Sequence, residues 1–500
     1  MLDAKEVAKH NSRKSCWVIL YGTVYDVTDF IDSHPGGANV ILQLAGKDAT
    51  VEYDPIHPPG LLEETLSKSQ ILGPVDSSTI LKPPPQRPAS TSPNTTSEPE
   101  NPISHTPLPP LSNQLNIADF ALTAEKTLSP KAWAYYFSAS DDLITKEHNS
   151  SAIASILLRP RIFKDVEYVD TSIKLLGTQP SSLPLFVAPA AMARLAHPDG
   201  EAGIARACGK NGILQMVSNN ASMSLEQIAS ARASPSQNQW FQLYVQTVRE
   251  KSNKILQRVN ETGYTAIVLT LDAPTPGKRE ADERVKNFGN TTSAISGEGV
   301  ANPSVHTGEG LGRALFAGTS PNLTWADLEW LRSQTSLPII LKGIQTHEDA
   351  LLAANNPLVS GILLSNHGGR AMDTASPPIY TLMEIRKYCP EVFDKVEIYI
   401  DGGVKRGTTI VKALCLGAKA VGIGRAALFG LAGYGEEGVG RVIQILREEI
   451  ETCMRLLGVN SVKDLGLKHV NTSAIDHLLY KTPSYKTNVT RFVEGVKARL

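Results

Sequence analysis

His34 and His57 stand 23 residues apart near the start of the chain, each beside prolines and glycine, in His34-Pro35-Gly36-Gly37 and His57-Pro58-Pro59-Gly60. Two neutral imidazoles on separate elements can fill both axial positions of one haem iron. Pro35 and the glycines allow a sharp turn and a close approach of a macrocycle to the backbone. A second group of reactive types lies further on. His367 with Asp272 reads as a base and the carboxylate that fixes its tautomer. Arg370, three residues after the histidine, offers a planar fork for a substrate carboxylate. Lys342 can set a positive charge against the edge of a flavin that becomes negative on reduction. Asp401-Gly402-Gly403 and Gly424-Arg425 suit a phosphate cradle, with backbone N–H groups in close approach and a bidentate cation.

These residues need a scaffold that gathers them. Eight short apolar runs recur between residues 184 and 424: PLFVAP, LQMVS, WFQLYV, AIVLTLD, PIILKG, GILLSN, EIYIDGG and AVGIG. Amphipathic stretches such as 201–211 and 408–416 separate most of them. Continuous apolar strands alternating with helices mean parallel strands buried on both faces, and eight such units predict a (β/α)8 TIM barrel. The gap between Asp272 and Pro338 reads as an insertion after the fourth strand. A doubly wound open sheet is the alternative, but its GxGxxG turn after the first strand is missing. In a parallel barrel, chemistry collects at the C-terminal strand ends. The eight ends carry Ala190-Ala191, Ser218, Gln242 and Tyr244, Thr270 and Asp272, Lys342, Ser365 with His367 and Arg370, Asp401 to Gly403, and Gly424-Arg425.

Ahead of the barrel, residues 17–37 read as two strands turning at Gly22 and a helix start leading into His34. Ten prolines and eight Ser or Thr fall within residues 83–110, a composition that cannot offset its ordering entropy and reads as an extended linker. The expected organisation is a haem-binding module over 1–75, a linker over 76–114 and a barrel over 115–500. A net charge of −1 excludes a general basic footprint for nucleic acid. No run of about 18 apolar residues exists, so no membrane span is expected. Five widely spaced cysteines without a CxxC argue against a disulfide framework or a zinc site. His10, His105, His148 and His347 sit in polar contexts and read as surface or loop residues.

Residues 2–73 resemble the cytochrome b5 family, with His34 at its HPGG ligand and His57 where that family places the second. The resemblance implies an α+β fold and six-coordinate haem b used for electron transfer. The segments YY, LYV, LTLDAP, KRE, LKG, SNHGGR, DGGVKRG and GIGR, in this order over about 115–460, resemble the FMN-dependent α-hydroxy acid oxidase and dehydrogenase family. The fusion of the two is similar to the flavocytochrome b2 type, which are L-lactate:cytochrome c oxidoreductases. That resemblance implies that His367 takes the substrate proton with Asp272 supporting it. Arg370 and Tyr135 grip the carboxylate, Tyr244 bonds the substrate hydroxyl, and Arg279 adds positive charge. FMN contacts are implied for Ala190, Ala191, Ser218, Gln242, Thr270, Lys342, Ser365, Asp401, Gly402, Gly403, Lys405, Gly424 and Arg425. Lys286 matches a position facing the haem propionates.

The chain departs from the family pattern in places. Ala139 replaces a glycine after the tyrosine pair, Lys405 replaces an arginine, and Ala371 follows Arg370 where glutamine is common. Asn220 stands where a bulky apolar or aromatic residue covers the substrate side chain, and its amide is expected to meet water or a polar substrate group. The expected activity is oxidation of an L-2-hydroxy acid, with electrons passing from FMN to haem b and on to a one-electron acceptor such as cytochrome c. An oxidase using oxygen, and a haem-binding docking module on a silent barrel, are the competing readings. A homotetramer is implied by resemblance. The Ala498-Arg499-Leu500 ending resembles a peroxisomal address, and no Arg-rich amphipathic extension precedes the haem motif. The expected compartment is therefore peroxisomal or cytosolic, with the mitochondrial intermembrane space as the alternative.

Overall fold

The computed structural model describes residues 2–34, 38–53, 62, 65–76, 79, 108–285, 291–300 and 310–481. His57, Lys286, residues 35–37, His105, most of the linker and the C-terminal triplet lie outside the described residues. The chain divides into two compact units, with the first boundary at Pro109/Pro110.

In the first unit four antiparallel strands, Asn11–Ser12, Ser15–Leu20, Thr23–Asp26 and Ile71–Pro74, pair in sequence order. Tyr21 and Gly22 connect the two longer strands with φ of 51° and 75°, as a tight two-residue hairpin requires. Alternation then sorts the side chains. Cys16, Val18 and Leu20 pack with Val27, Ile31 and Ile41 on one face, whereas Ile19 and Val24 join Val7 and Val75 on the other. The short helix Ala38–Leu44 begins four residues after His34.

In the second unit each of the eight expected runs forms a strand: Leu185–Val187, Leu214–Val217, Gln239–Leu243, Ala266–Thr270, Ile339–Ile344, Val359–Leu364, Glu397–Asp401 and Ala420–Ile423. All neighbours are parallel and the eighth pairs with the first, closing the barrel. Closure excludes the open doubly wound sheet. The period of two sets which residues point inward. Phe186, Met216, Trp240, Val268, Ile340, Leu363 and Tyr399 fill the interior as one cluster. Phe241, Ile267, Leu341, Ile362 and Ile398 face the surrounding helices. A hairpin of Ile173–Leu175 and Gln179–Ser181 lies against the interior cluster through Ile173 and Leu175. Trp240 is fully buried, and its indole N–H donates to Gln179 Oε1 of that hairpin at 2.7 Å. Truncating such a core tryptophan typically costs about 3–5 kcal/mol.

The insertion between the fourth and fifth strands carries the helix Glu280–Arg284, the paired strands Thr291–Thr292 and Gly299–Val300, and the helices Leu311–Ala314 and Asp327–Gln334. His347 departs from its expected surface position. It is buried at the start of the helix His347–Ala354, with Nδ1 3.2 Å from Glu348 and 3.7 Å from Glu384. Helix periodicity turns it inward, which a polar local sequence does not reveal. Among the described residues no helix is long and apolar enough to cross a membrane.

Candidate active site

Two residues above the interior layer, the same inward parity brings polar groups to the C-terminal mouth. Met216 gives way to Ser218, Trp240 to Gln242 and Tyr244, Val268 to Thr270 and Asp272, Ile340 to Lys342, Leu363 to Ser365, and Tyr399 to Asp401. The barrel's own alternation therefore gathers the reactive types at one end. They surround a cavity of about 610 Å3, a size suited to a cofactor with a small substrate.

His367 is the centre of the polar network. Its Nδ1–H donates to Asp272 Oδ1 at 2.7 Å, and its Nε2 lies 3.4 Å from the Tyr244 hydroxyl. Asp272 Oδ2 accepts from Lys342 Nζ at 2.9 Å. Lys342 also donates to Ser365 Oγ at 3.1 Å, and that oxygen accepts the His367 backbone N–H at 3.1 Å. Burial pushes the His367 pKa down to about 4, helped by the Lys342 and Arg279 charges and opposed by Asp272. The imidazole is therefore neutral near neutral pH, with Nε2 open as a base. Burial acts to raise Asp272, but His367 and Lys342 outweigh it and hold the carboxyl well below its ordinary range. Burial likewise acts to lower Lys342, and Asp272 and Asp401 raise it overall. His367, Gly368 and Gly369 have φ of 58°, 63° and 77°. Three successive left-handed residues turn the chain sharply, and only the first carries a Cβ to strain.

Two arginines meet the end of the helix Pro130–Phe137, whose Ser129 cap accepts from Ala132 N–H at 3.2 Å. Arg370 Nη1 donates to the carbonyls of Tyr135, Ser138 and Tyr136 at 2.8, 3.0 and 3.2 Å. Arg425 donates to the carbonyls of Tyr136, Ser138 and Gly368 at 3.0, 2.9 and 3.1 Å. Both complement the negative end of that helix. Arg370 also lies over the Tyr135 ring, 5.1 Å from its centroid. Arg279, buried, donates from Nε to the Arg370 carbonyl at 3.1 Å. Burial and the neighbouring Arg370 charge lower its pKa to about 10. Ala139 is buried and lies outside the left-handed region, so this turn does not need the glycine it replaces.

Of the expected site residues, His367, Tyr244, Arg370, Tyr135 and Arg279 line the cavity, as do Ala190, Ala191, Ser218, Gln242, Thr270, Lys342, Asp401, Gly402, Gly403, Lys405, Gly424 and Arg425. Asp272 lies behind His367. Ser365 differs from expectation: it is fully buried, does not reach the cavity wall, and supports Lys342 and His367 from beneath. Asn220 also differs. It lines the cavity, but its Oδ1 accepts from Ser296 Oγ at 2.8 Å and its Nδ2 donates to the Leu315 carbonyl at 3.1 Å. The amide is satisfied within the protein and ties down the insertion. Phe316, next to Leu315, packs against Tyr244 with the rings tilted by 59° and their centroids 4.8 Å apart. Phe316, Tyr136 and Lys146 line the cavity without having been expected there. Tyr136 carried a signal in the tyrosine pair, whereas the other two sit in segments without one.

Gln242 Nε2, Thr270 Oγ1, Asp401 Oδ1 and Lys146 Nζ are buried cavity-lining atoms without a hydrogen-bond partner in the protein. Buried polar atoms are seldom left unpaired, and four around one cavity mark a ligand with polar groups spread along it. Gly403, at φ 74°, leaves no room for a side chain, since a Cβ would come within 2.5 Å of the Asn149 carbonyl carbon.

Residues 124–472 match the FMN-dependent dehydrogenase family model, and residues 3–76 match that of the cytochrome b5-like heme/steroid binding domain. The chain belongs to the FMN-dependent dehydrogenase family. An L-lactate dehydrogenase (cytochrome) of Saccharomyces cerevisiae is 41% identical, covering 92% of this chain and 78% of that protein. Its counterpart in Wickerhamomyces anomalus is 40% identical, covering 94% and 79%. The flavin-binding domain of baker's yeast flavocytochrome b2 superposes with a TM-score of 0.66 at 39% identity, covering 77% of this chain and 93% of that one. FMN and haem are accordingly the cofactors of this family member. The four unpartnered atoms and the glycine turn fit a flavin nucleotide. Gln242 and Thr270 would meet its ring, Asp401 its ribityl hydroxyls, and the 402–405 turn with Arg425 its phosphate. In the haem module His34 is partly buried, its ring edge-on to Phe30 at 5.7 Å between centroids.

Proposed function

We propose that this protein oxidises a small L-2-hydroxy acid, L-lactate foremost, to the 2-oxo acid and delivers the electrons through haem b to a one-electron acceptor of the cytochrome c type. The observation that carries the reading is the Lys342–Asp272–His367 chain, which leaves Nε2 of a neutral imidazole beside Tyr244 in a cavity that also holds Arg370. FMN, when bound, supplies the two-electron sink. His367 Nε2 takes the proton released from the substrate. Asp272 holds Nδ1–H and stabilises the imidazolium, with Lys342 keeping that carboxylate ionised. Arg370 and Tyr135 hold the substrate carboxylate, and Arg279 adds positive charge beside them. Tyr244 bonds the substrate hydroxyl. His34 and His57 ligate the haem iron. The cytochrome-type relatives, similar along both modules, support this electron route over a silent barrel. A homotetramer belongs to the same reading, and the exposed Ile162, Phe163 and Tyr168 supply apolar surface for it.

The test is anaerobic stopped-flow mixing with L-lactate and a panel of other 2-hydroxy acids, following the flavin and haem bands together. Flavin bleaching followed by haem reduction is expected. His34→Ala should lose the b-type spectrum and the second phase while keeping the first. Flavin bleaching with no haem reduction in the unaltered protein would reassign it as an oxidase. No bleaching by any 2-hydroxy acid would refute the activity.

A further inference from the structure

Lys146 belongs to none of the expected sets. It is the third residue of the helix Ile144–Ala154, in the first turn, where an ammonium opposes the helix dipole. Its Nζ is buried without a hydrogen-bond partner and lies 3.1 Å from the centroid of the Phe137 ring. A cation–π contact accounts for only part of such burial. The remaining neighbours make the position worse. Burial lowers its pKa to about 8, and Arg425, Lys405 and Arg370 add to the effect against the single opposing Glu147. Three cations around a buried ammonium call for an anion.

The geometry says which anion. Ser150 follows Lys146 by one helical turn on the same face. Its hydroxyl donates to the Gly403 carbonyl at 3.1 Å, so this face of the helix is laid on the glycine turn at the cavity's end. The two cations expected at that turn are weakly placed. Lys405 is largely exposed and reaches Glu147 only at 3.9 Å, and it lacks the fork of the arginine it replaces. Arg425 already donates to three carbonyls. Lys146 is the cation here whose donors are free.

We propose that Lys146 is a ligand of the flavin nucleotide's phosphate, supplying from the helix Ile144–Ala154 the charge that Lys405 presents only weakly. The inference rests on the flavin-nucleotide reading of the cavity and adds a residue to it. Riboflavin has the same ring and ribityl chain without the phosphate, so it separates the two.

The experiment strips flavin from the full chain and titrates the apoprotein with FMN and with riboflavin, following quenching of flavin fluorescence. Lys146→Met should raise the Kd for FMN by about 10–100-fold, the range for losing a charge-assisted hydrogen bond. The Kd for riboflavin should stay within about twofold, and Lys146→Arg should restore most FMN affinity. Inorganic phosphate should raise the Tm of the unaltered apoprotein and not that of Lys146→Met. Equal weakening of FMN and riboflavin would show that Lys146 only packs against Phe137, and unchanged FMN affinity would show that it meets no phosphate. Either result overturns the inference. Binding of neither flavin by the unaltered apoprotein would overturn the flavin reading itself.

Discussion

Replacing Lys342 by methionine should move the pH dependence of catalysis rather than simply abolish it. The ammonium lies 2.9 Å from Asp272 Oδ2, and the other oxygen of that carboxylate lies 2.7 Å from His367 Nδ1. Lys342 therefore acts on the imidazole across one carboxylate. A unit charge about 6 Å away, at an effective dielectric near 20, is worth about 3 kcal/mol, or about two pKa units. Lys342 is one of the groups that hold the His367 pKa down to about 4. Removing a cation stabilises the imidazolium, so that pKa must rise. The base is competent only when unprotonated, so the acid limb of kcat/KM, expected near pH 4 in the unaltered enzyme from the His367 pKa, should move up toward about pH 6. Breaking one side of this buried pair should also destabilise the barrel by about 3–5 kcal/mol. The assay is the pH profile of flavin reduction by substrate under anaerobic conditions, on protein replete with FMN. Lys342→Arg, which retains the charge, should keep the limb near its original place. An acid limb that stays put or moves down in Lys342→Met would refute the relay of charge through Asp272.

Two further outcomes follow from the same geometry. His367→Gln should still take up FMN and substrate but reduce flavin about 10²–10⁴-fold more slowly, and single-turnover rates close to normal would exclude the histidine as base. Asn220→Leu leaves the Ser296 hydroxyl and the Leu315 carbonyl without a side-chain partner, at about 1–3 kcal/mol for each group that stays dry. It should lower thermal stability and loosen the Phe316 wall, shifting kcat/KM away from L-lactate toward bulkier 2-hydroxy acids. Adding Ser296→Ala should recover part of the stability, and an unchanged Tm and substrate ranking in the single variant would show that the amide anchors nothing.

The barrel was legible because strands covered on both faces read as uninterrupted apolar runs, and each of the eight runs became a strand. The His367 constellation was legible for a related reason, since its members sit at the ends of those runs, where the fold's polarity puts chemistry. What stayed hidden depends on contacts between segments far apart in the chain. Asn220 was expected to lack a protein partner, but Ser296 and Leu315 come to it from an insertion whose path the sequence does not show. Ser365 has the right parity for the cavity but is covered by Lys342 and His367. Lys146 looks like any helix-surface lysine until the Gly403 turn is laid against its helix. His347, in a polar stretch, is turned inward by the helix that begins there.

The carbonyl oxygens of Tyr136 and Ser138 each accept from both Arg370 and Arg425. In the function proposed above, Arg370 serves the substrate carboxylate and Arg425 the flavin phosphate. An oxygen with two lone pairs and two charged donors is saturated, so neither arginine can relax without changing the hold on the other. On those roles, two peptide groups would join cofactor and substrate in addition to their meeting at the flavin ring. Reciprocity follows from thermodynamics: whatever free energy an anion at Arg425 lends to or takes from carboxylate binding at Arg370, the carboxylate returns in equal measure to retention of the cofactor.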